Sequence, residues 1–173
     1  MFPGLRRRDC HPPYEPDYRG EKIAPMQACV WGPLAAGQLE EIAETGCRKF
    51  LACGSCGVPQ KDIAADERIM GIIEEKLPEE NIPFIKAKTW TTDAMFRETP
   101  GKIALRKTEG CVSVEMEASV SMAVAQYLGV DFGQILYSGD GVGGNEWDTR
   151  DYNKRTDIRE FLLGLTPDIC LKM

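Results

Sequence analysis

The sequence predicts an α/β protein with three layers, an α/β/α sandwich in which helices cover both faces of a mainly parallel, mixed central sheet. Two observations predict this fold. Short apolar segments alternate with amphipathic ones along most of the chain, and glycines or prolines separate them. Its 173 residues suffice for one domain with a complete core. We expect an irregular segment over residues 1–20, which contain four prolines, and a single domain over residues 21–173.

The first half of the domain begins with a strand-like segment, Lys22–Val30. A helix is predicted over Pro33–Thr45, because proline stands in its first turn and Gly46 lies just beyond its end. The strand Arg48–Cys53 follows and ends in the glycine-rich sequence "GSCG". Asp62–Leu77 then places its isoleucines mainly on one face, as in an amphipathic helix.

In the second half, "IPFIKAKTW" reads as a strand, Pro100–Glu109 as a helix and Cys111–Val114 as another strand. Glu115–Leu128 is rich in Ala, Met and Val, so we expect a helix that is buried nearly all round. The strand "FGQILYS" comes next, then the long loop "GDGVGGNEWD" and an amphipathic helix over Arg155–Leu165. Ligands of such sheets bind beyond the carboxyl ends of the strands.

Composition excludes several classes of partner. The formal net charge is -6 and the charges are mixed along the chain, so neither nucleic acid nor an anionic membrane is an expected partner. No apolar run is long enough to cross a bilayer, and we expect a cytoplasmic protein. The seven cysteines are scattered through predicted strands and helices, which favours reduced thiols over a disulfide framework.

Three predicted strand ends carry unusual residues: "GSCG", the "EME" of Glu115, Met116 and Glu117, and the "GDG" that contains Asp140. Acids in the first turn of a helix interact favourably with its dipole, which is one explanation of Glu115 and Glu117. The other is ligand binding, because a buried carboxylate needs hydrogen-bond donors and two adjacent sugar hydroxyls provide them. Both interpretations remain open from the residues alone.

The sequence "GSCG" also allows two interpretations, an ordinary tight turn or a turn whose amides and Ser55 hydroxyl face an anion. Cys53 and Cys56 form a Cys-x-x-Cys pair. A second pair of ligands for zinc is absent, however, and no helix begins there to support a redox dithiol. We expect no metal. Asp140 reads either as the start of a turn or as a carboxyl suited to general acid catalysis.

Together these motifs resemble the nucleoside phosphorylase family, which includes purine nucleoside and uridine phosphorylases and related nucleosidases. The resemblance runs from about Tyr14 to about Leu165. It rests, in order, on "GPLAAGQLEEIAETGCRKFLACGSCGV", "KTWTTDAMFRETPGKIALRKTEGCVSVEMEAS" and "GVDFGQILYSGD". The most specific element is "VEMEA" directly after a strand.

The resemblance implies roles for residues at each motif. Met116 and Glu117 would hold the ribose with help from Glu115, and Asp140 would protonate the leaving base. Gly54 and Ser55 would contact phosphate. Residues near the sugar and base would be Thr92, Met95 and Phe96, although family members usually have an aromatic residue where Met95 stands.

The family reaction is reversible phosphorolysis of a nucleoside to free base and ribose 1-phosphate. The resemblance implies phosphate as co-substrate and no metal or organic cofactor. A chain shortened relative to the family exposes sheet edge, so we expect a homo-oligomer. A water-using nucleosidase and a non-catalytic nucleoside-binding relative are the alternatives.

Departures from the family pattern fall on the phosphate side. The family's first strand has no counterpart before Tyr14, and an internal segment is shortened around Lys61 to Asp66. Ala52 stands where many members have arginine, and Cys29 and Trp31 stand where glycines are expected. Arg97 could supply charge only if its loop turned inward.

Overall fold

The computed structural model describes residues 16–57, 66–79, 83–144, 148–151 and 154–173. Six strands and five α-helices occur in these ranges, with one short 3-10 helix at Met95–Arg97. The strands are β1 Asp17–Tyr18, β2 Glu21–Lys22, β3 Lys49–Gly57, β4 Thr89–Thr91, β5 Ser113–Glu115 and β6 Asp131–Asp140. The helices are α1 Gly32–Glu44, α2 Glu67–Glu79, α3 Pro100–Thr108, α4 Ala118–Leu128 and α5 Thr156–Lys172.

The central sheet has four strands in the order β4-β5-β3-β6. Strands β3 and β6 are parallel, as are β4 and β5, whereas β3 and β5 meet antiparallel at a single pair, Gly57 with Val114. The expected mixed, mainly parallel sheet is confirmed. A separate pair, β1 with β2, is antiparallel and spans the predicted start of the domain at residue 21.

Helices cover both faces of the sheet, which confirms the three predicted layers. On one face α2 and α5 pack together against β3 and β6 through an aliphatic core: Ile69, Ile73, Leu77, Leu165, Ile169 and Met173, with Leu51 and Ile135 from the strands. On the other face α1 and α4 pack through Leu39 and Ala125 against Phe132 of β6. Because side chains alternate along a strand, odd and even positions of β6 serve the two cores.

Two strand predictions are wrong over most of their length. The strand predicted over Lys22–Val30 is reduced to β2, Glu21–Lys22. Residues 23–30 instead run beside α1. The Gln38 side chain holds that segment, since it accepts from Cys29 N at 2.8 Å and donates to Gln27 O at 3.1 Å. The strand predicted over "IPFIKAKTW" is also shorter than expected. Strand β4 has only three residues, as many as its partner β5, and residues 83–88 precede it outside the sheet.

Helix α4 also differs from expectation. It begins at Ala118 rather than Glu115, and β5 continues through Glu115. Its buried residues are Ala118, Ser121 and Ala125, while Tyr127 is 84% exposed. The helix therefore buries one face against α1 and β6 and is not surrounded by protein.

Helix α5 extends to Lys172, past the predicted end at Leu165, although Pro167 lies inside it. Proline lacks the N–H that would bond to the carbonyl four residues earlier, Leu163 O. The Thr166 hydroxyl donates to that carbonyl at 3.1 Å and to Leu162 O at 2.8 Å. A side-chain donor thus replaces the missing backbone donor, and the helix continues.

The first residue of α1 lies very close to α4. A Cβ at Gly32 would be 2.8 Å from Val120 Cγ2, which is shorter than any ordinary carbon contact. Glycine therefore lets the start of α1 approach the first turns of α4. Gly37, one and a half turns further along α1, has nothing within 4 Å of an added Cβ.

We expect Gly32→Ala to destabilise the protein by about 1–3 kcal/mol, because the new methyl group overpacks against a stiff β-branched side chain. Gly37→Ala is the matched control and should stabilise it by about 0.5–1 kcal/mol through helix propensity. Urea unfolding measures both free energies. Equal effects of the two substitutions would contradict the close approach.

Candidate active site

The register of the sheet brings the three strand ends together. Gly57 at the end of "GSCG" pairs with Val114 on one side and with Asp140 on the other. Across β5, Glu115 pairs with Thr91 of β4. The carboxyl-terminal tips of all four central strands therefore form one row, and the candidate residues Glu115 and Asp140 lie on it.

Glu115 is only 5% exposed, and the chain itself satisfies its carboxylate. One oxygen accepts from the Thr91 hydroxyl, and the other accepts from the backbone amides of Glu117, at 2.7 Å, and Ala118. The Thr91 oxygen in turn accepts from Ser119 N at 3.0 Å. Glu115 thus supplies the acceptor for the free amides at the start of α4, a capping role.

Glu117 is half-buried and has a different environment. Its Oε1 accepts from the backbone N–H of Trp31 at 2.9 Å. Burial raises the pKa of the Glu117 carboxyl, and the nearby charge of Glu115 adds to this rise, whereas the amides of Trp31 and Met116 oppose it. Two carboxylates that look equivalent in the sequence are therefore distinct: Glu115 is internally bonded, and Glu117 retains capacity to accept further donors.

Trp31 occupies a backbone conformation that favours glycine, with φ 79° and ψ 133°. A side chain at positive φ strains the backbone, at a cost of about 1–3 kcal/mol. The sequence showed Trp31 as a departure from an expected glycine. The structure shows that the backbone keeps the conformation a glycine would adopt, and that this conformation aims the Trp31 N–H at Glu117.

The other predicted sugar and base residues divide into buried and exposed members. Thr92 is 3% exposed, its N–H donates to Glu115 O at 2.8 Å, and its hydroxyl accepts from Ala94 N at 3.3 Å. Met95 and Phe96, in the 3-10 helix, are 55% and 79% exposed. Thr92 therefore shapes the backbone, while Met95 and Phe96 present apolar surface to whatever approaches.

The sequence "GSCG" is not the predicted turn, because β3 continues through it to Gly57. Nine residues of β3 pair with β6, and the pairing continues past Cys53, with a bulge between Cys56 and Gly57. Gly54 leaves open space where a Cβ would stand. Ser55 pairs through its backbone with Tyr137, and its side chain lies outside the described part of the structure.

Asp140 ends β6 and has a second carboxyl as its neighbour. Burial raises the pKa of Glu98, and the negative charge of Asp140 raises it further, with Lys102 acting in the opposite direction. Glu98 directly follows the 3-10 helix Met95–Arg97. Sequence reasoning missed Glu98 and Thr91, although both lie within the quoted segment "TWTTDAMFRETPG".

Other chemistry is not assembled in the described ranges. There, no three His, Cys, Asp or Glu side chains are placed to hold a metal ion, and none of the cysteines Cys29, Cys47, Cys53, Cys111 and Cys170 is in a disulfide. None of the described helices combines the length and apolar character that crossing a bilayer requires. The single histidine of the sequence, His11, lies outside the described residues.

Comparison with protein families settles the relationship. The family model described as the Phosphorylase superfamily matches residues 58–165, which is more than half of the chain. This chain belongs to the phosphorylase superfamily. Its matched range contains Thr92, Met95 and Phe96, the Glu115–Glu117 sequence and Asp140, whereas Gly54 and Ser55 precede it.

Membership of the phosphorylase superfamily supports an enzyme of the general nucleoside phosphorylase or nucleosidase type. No curated protein matches this sequence. The family therefore indicates the general class of reaction. Which base is released, and whether phosphate or water accepts the sugar, depend on this chain's own residues.

We expect Glu115→Ala to destabilise the protein by about 3 kcal/mol, because it leaves two backbone amides and the Thr91 hydroxyl without their acceptor. Glu117→Ala should cost less than about 1 kcal/mol, since it removes one hydrogen bond and a carboxylate whose burial is unfavourable. Urea unfolding near pH 7 compares the two variants. Similar losses would show that the two acids have the same structural role.

A second pair of variants tests the strain at Trp31. Both Trp31→Gly and Trp31→Ala remove the indole, but only alanine keeps a Cβ at positive φ. We expect the glycine variant to be more stable than the alanine variant by about 1–2 kcal/mol. The difference in unfolding free energy is the measurement, and a more stable alanine variant would contradict the observed backbone conformation.

Proposed function

We propose that this chain is a nucleoside phosphorylase-type pentosyltransferase that converts a purine nucleoside or uridine and phosphate to free base and ribose 1-phosphate. The observation that carries the proposal is the Glu117 carboxylate, half-buried at the start of α4 in the same row of strand tips as Asp140. The family supports the class of reaction, and the residues below support its assignment in this chain.

Glu117 suits the binding of two adjacent sugar hydroxyls. A carboxylate has about four lone-pair sites, and Trp31 N–H occupies one of them. Both hydroxyls can donate to the remaining sites while Glu115 holds the start of the helix in place. Met116, between the two acids and half-buried, offers a thioether to the apolar face of the sugar.

Asp140 suits the role of general acid. It ends β6 at the row of strand tips, and a second carboxyl lies beside it, because the charge of Asp140 adds to the rise that burial causes in the pKa of Glu98. As the bond between the anomeric carbon and the base nitrogen breaks, Asp140 would donate a proton to the departing base. An oxygen of phosphate would form the new bond to the anomeric carbon.

Phosphate would bind along the "GSCG" end of β3, at Gly54 and Ser55, where the absence of a side chain at Gly54 lets an anion approach the backbone. Thr92, Met95 and Phe96 would border the sugar and base. No step of this reaction requires a metal or an organic cofactor.

Assembly and location are also part of the proposal. Apolar side chains at the β4 side of the protein are exposed, among them Ile85 at 75% and Phe96 at 79%. A second copy of the chain would cover such surface, so we propose a homo-oligomer. We further propose that it acts in the cytoplasm on small molecules, without a nucleic acid or membrane partner.

Hydrolysis is the second candidate, because β3 carries Ala52 where many relatives have an arginine. Water would then replace phosphate as the acceptor of the sugar. A non-catalytic nucleoside-binding protein is the third. It would keep the Glu117 site without turnover.

Release of base from a panel of purine nucleosides and uridine, with and without phosphate, tests the proposal. We expect phosphate-dependent release, and we expect Asp140→Asn to lower kcat about 100-fold or more, the typical contribution of a general acid. Glu117→Ala should abolish nucleoside binding measured by calorimetry. The exposed acids Asp157 and Glu41 provide the matched controls Asp157→Asn and Glu41→Ala.

Equal release with and without phosphate would replace phosphorolysis with hydrolysis. Nucleoside binding without any release would identify the non-catalytic alternative. Full activity of the Asp140→Asn variant would remove Asp140 from the mechanism.

A further inference from the structure

A guanidinium that the sequence motifs did not include lies at the same row of strand tips. Arg150 Nη1 donates to the Ser138 hydroxyl at 2.6 Å, and its Nε lies 3.3 Å from Asp148 Oδ2. Ser138 pairs in register with Cys56, inside "GSCG". Arg150 is therefore bonded to the strand that directly neighbours the candidate phosphate residues.

Described residues on either side of residues 145–147 fix the position of Arg150. Gly141 and Asp148 exchange two backbone hydrogen bonds, of 2.7 and 3.0 Å, which return the chain to the tip of β6. Arg150 and Asp151 then both have positive φ, 43° and 52°. Two successive non-glycine residues in this region are uncommon, and together they turn the Arg150 side chain back over the sheet.

Gly141 leaves room for that side chain. A Cβ at this position would lie 3.3 Å from Arg150 Nη2 and 3.4 Å from its Nε, closer than most carbon contacts. The guanidinium thus rests against the backbone of the residue that follows Asp140. Its side chain is 45% exposed, so a solute can reach it.

Arg150 retains donors for a ligand. A guanidinium has five N–H groups in a planar fork, and in the described structure the acceptors around Arg150 are Ser138 and Asp148 alone. This fork matches the oxygens of phosphate, to which it can donate twice. Other nearby cations are engaged elsewhere: Lys107 Nζ donates to Gly143 O, and Arg159 Nε donates to the Tyr137 hydroxyl.

We propose that Arg150 and the Ser138 hydroxyl bind the phosphate co-substrate from the β6 side, opposite the backbone of Gly54 and Ser55. The inference rests on the proposed function. It supplies positive charge at the strand tips from the segment after β6, whereas Ala52 lies four residues before Cys56 on β3, in register with Gln134. Arg97, the cation considered from the sequence, is exposed in the 3-10 helix.

Asp148 has a defined part in this arrangement. Its carboxylate partly neutralises Arg150 while the site is empty, and phosphate competes with it for the guanidinium. Removing the charge of Asp148 should therefore strengthen phosphate binding, whereas removing that of Arg150 should weaken it. Opposite signs at two contacting residues are not expected if the ion pair only stabilises the loop.

The test measures binding of inorganic phosphate to the full chain by calorimetry, and the KM for phosphate and for nucleoside in the base-release assay. We expect Arg150→Met to raise the phosphate Kd and KM at least tenfold and to change the nucleoside KM less than twofold. Asp148→Asn should lower the phosphate Kd. The matched control is Arg155→Met, because Arg155 Nε lies 3.9 Å from Oδ1 of the exposed Asp157, and Arg155 lies at the start of α5.

Thermal unfolding of each variant shows whether the fold survives. If Arg150→Met is less stable, Ser138→Ala removes the contact on β6 with a smaller change and should weaken phosphate binding in the same direction. Phosphate binding by Arg150→Met that equals wild type would overturn the inference, as would a wild-type chain that binds no phosphate. Arg150-dependent phosphate binding without base release would support it while contradicting the proposed catalysis.

Discussion

The buried Glu115 carboxylate is the interaction on which the site depends. It connects three elements, because its acceptors serve a side chain of β4 and the first free amides of α4, while its own backbone lies in β5. Thr91 extends the connection by accepting from Ser119 N. A polar group so deeply buried needs hydrogen-bond partners, and here two of the donors are amides that the start of a helix leaves unpaired. Glu117, two residues further on, accepts instead from the backbone N–H of Trp31.

The second organising feature is the meeting of strand tips at Gly57. Parallel strands place their carboxyl ends at one edge by necessity, but β5 runs antiparallel to β3 and joins it only at its tip. The two parallel pairs therefore meet end to end, with Thr91 and Glu115 on one side of Gly57 and Asp140 on the other. A short sheet of four strands thus gathers residues from four distant parts of the sequence into one line.

Much of the fold could be predicted because its signals are local. Proline in the first turns of α1 and α3 placed those helices within one residue. The apolar periodicity over Asp62–Leu77 predicted α2, although residues 62–65 of that prediction lie outside the described residues. The strand predicted over "IPFIKAKTW" was too long, because the extent of a strand depends on the length of its partner, which the segment's own sequence does not determine. The prediction of a turn at "GSCG" was wrong for the converse reason. Strand β6 is long enough to pair with β3 as far as Gly57, beyond the apolar run from which the end of β3 was predicted. The family and its motifs were recognisable, whereas the unequal roles of Glu115 and Glu117, the conformation of Trp31 and the return of Arg150 to the sheet depend on contacts between remote segments.

Trp31 also has a spectroscopic consequence, because its indole is fluorescent. Its indole is 37% exposed and its own backbone amide is bonded to Glu117, so it is a fluorophore one hydrogen bond from the carboxylate that we propose as the sugar site. Indole emission follows the polarity of its surroundings. Trp90, by contrast, is 4% exposed, with the cations of Lys102 and Arg106 over its ring, and a ligand at Glu117 leaves those surroundings in place. A position that departs from the family pattern is thus also an intrinsic fluorescent reporter on the start of α4.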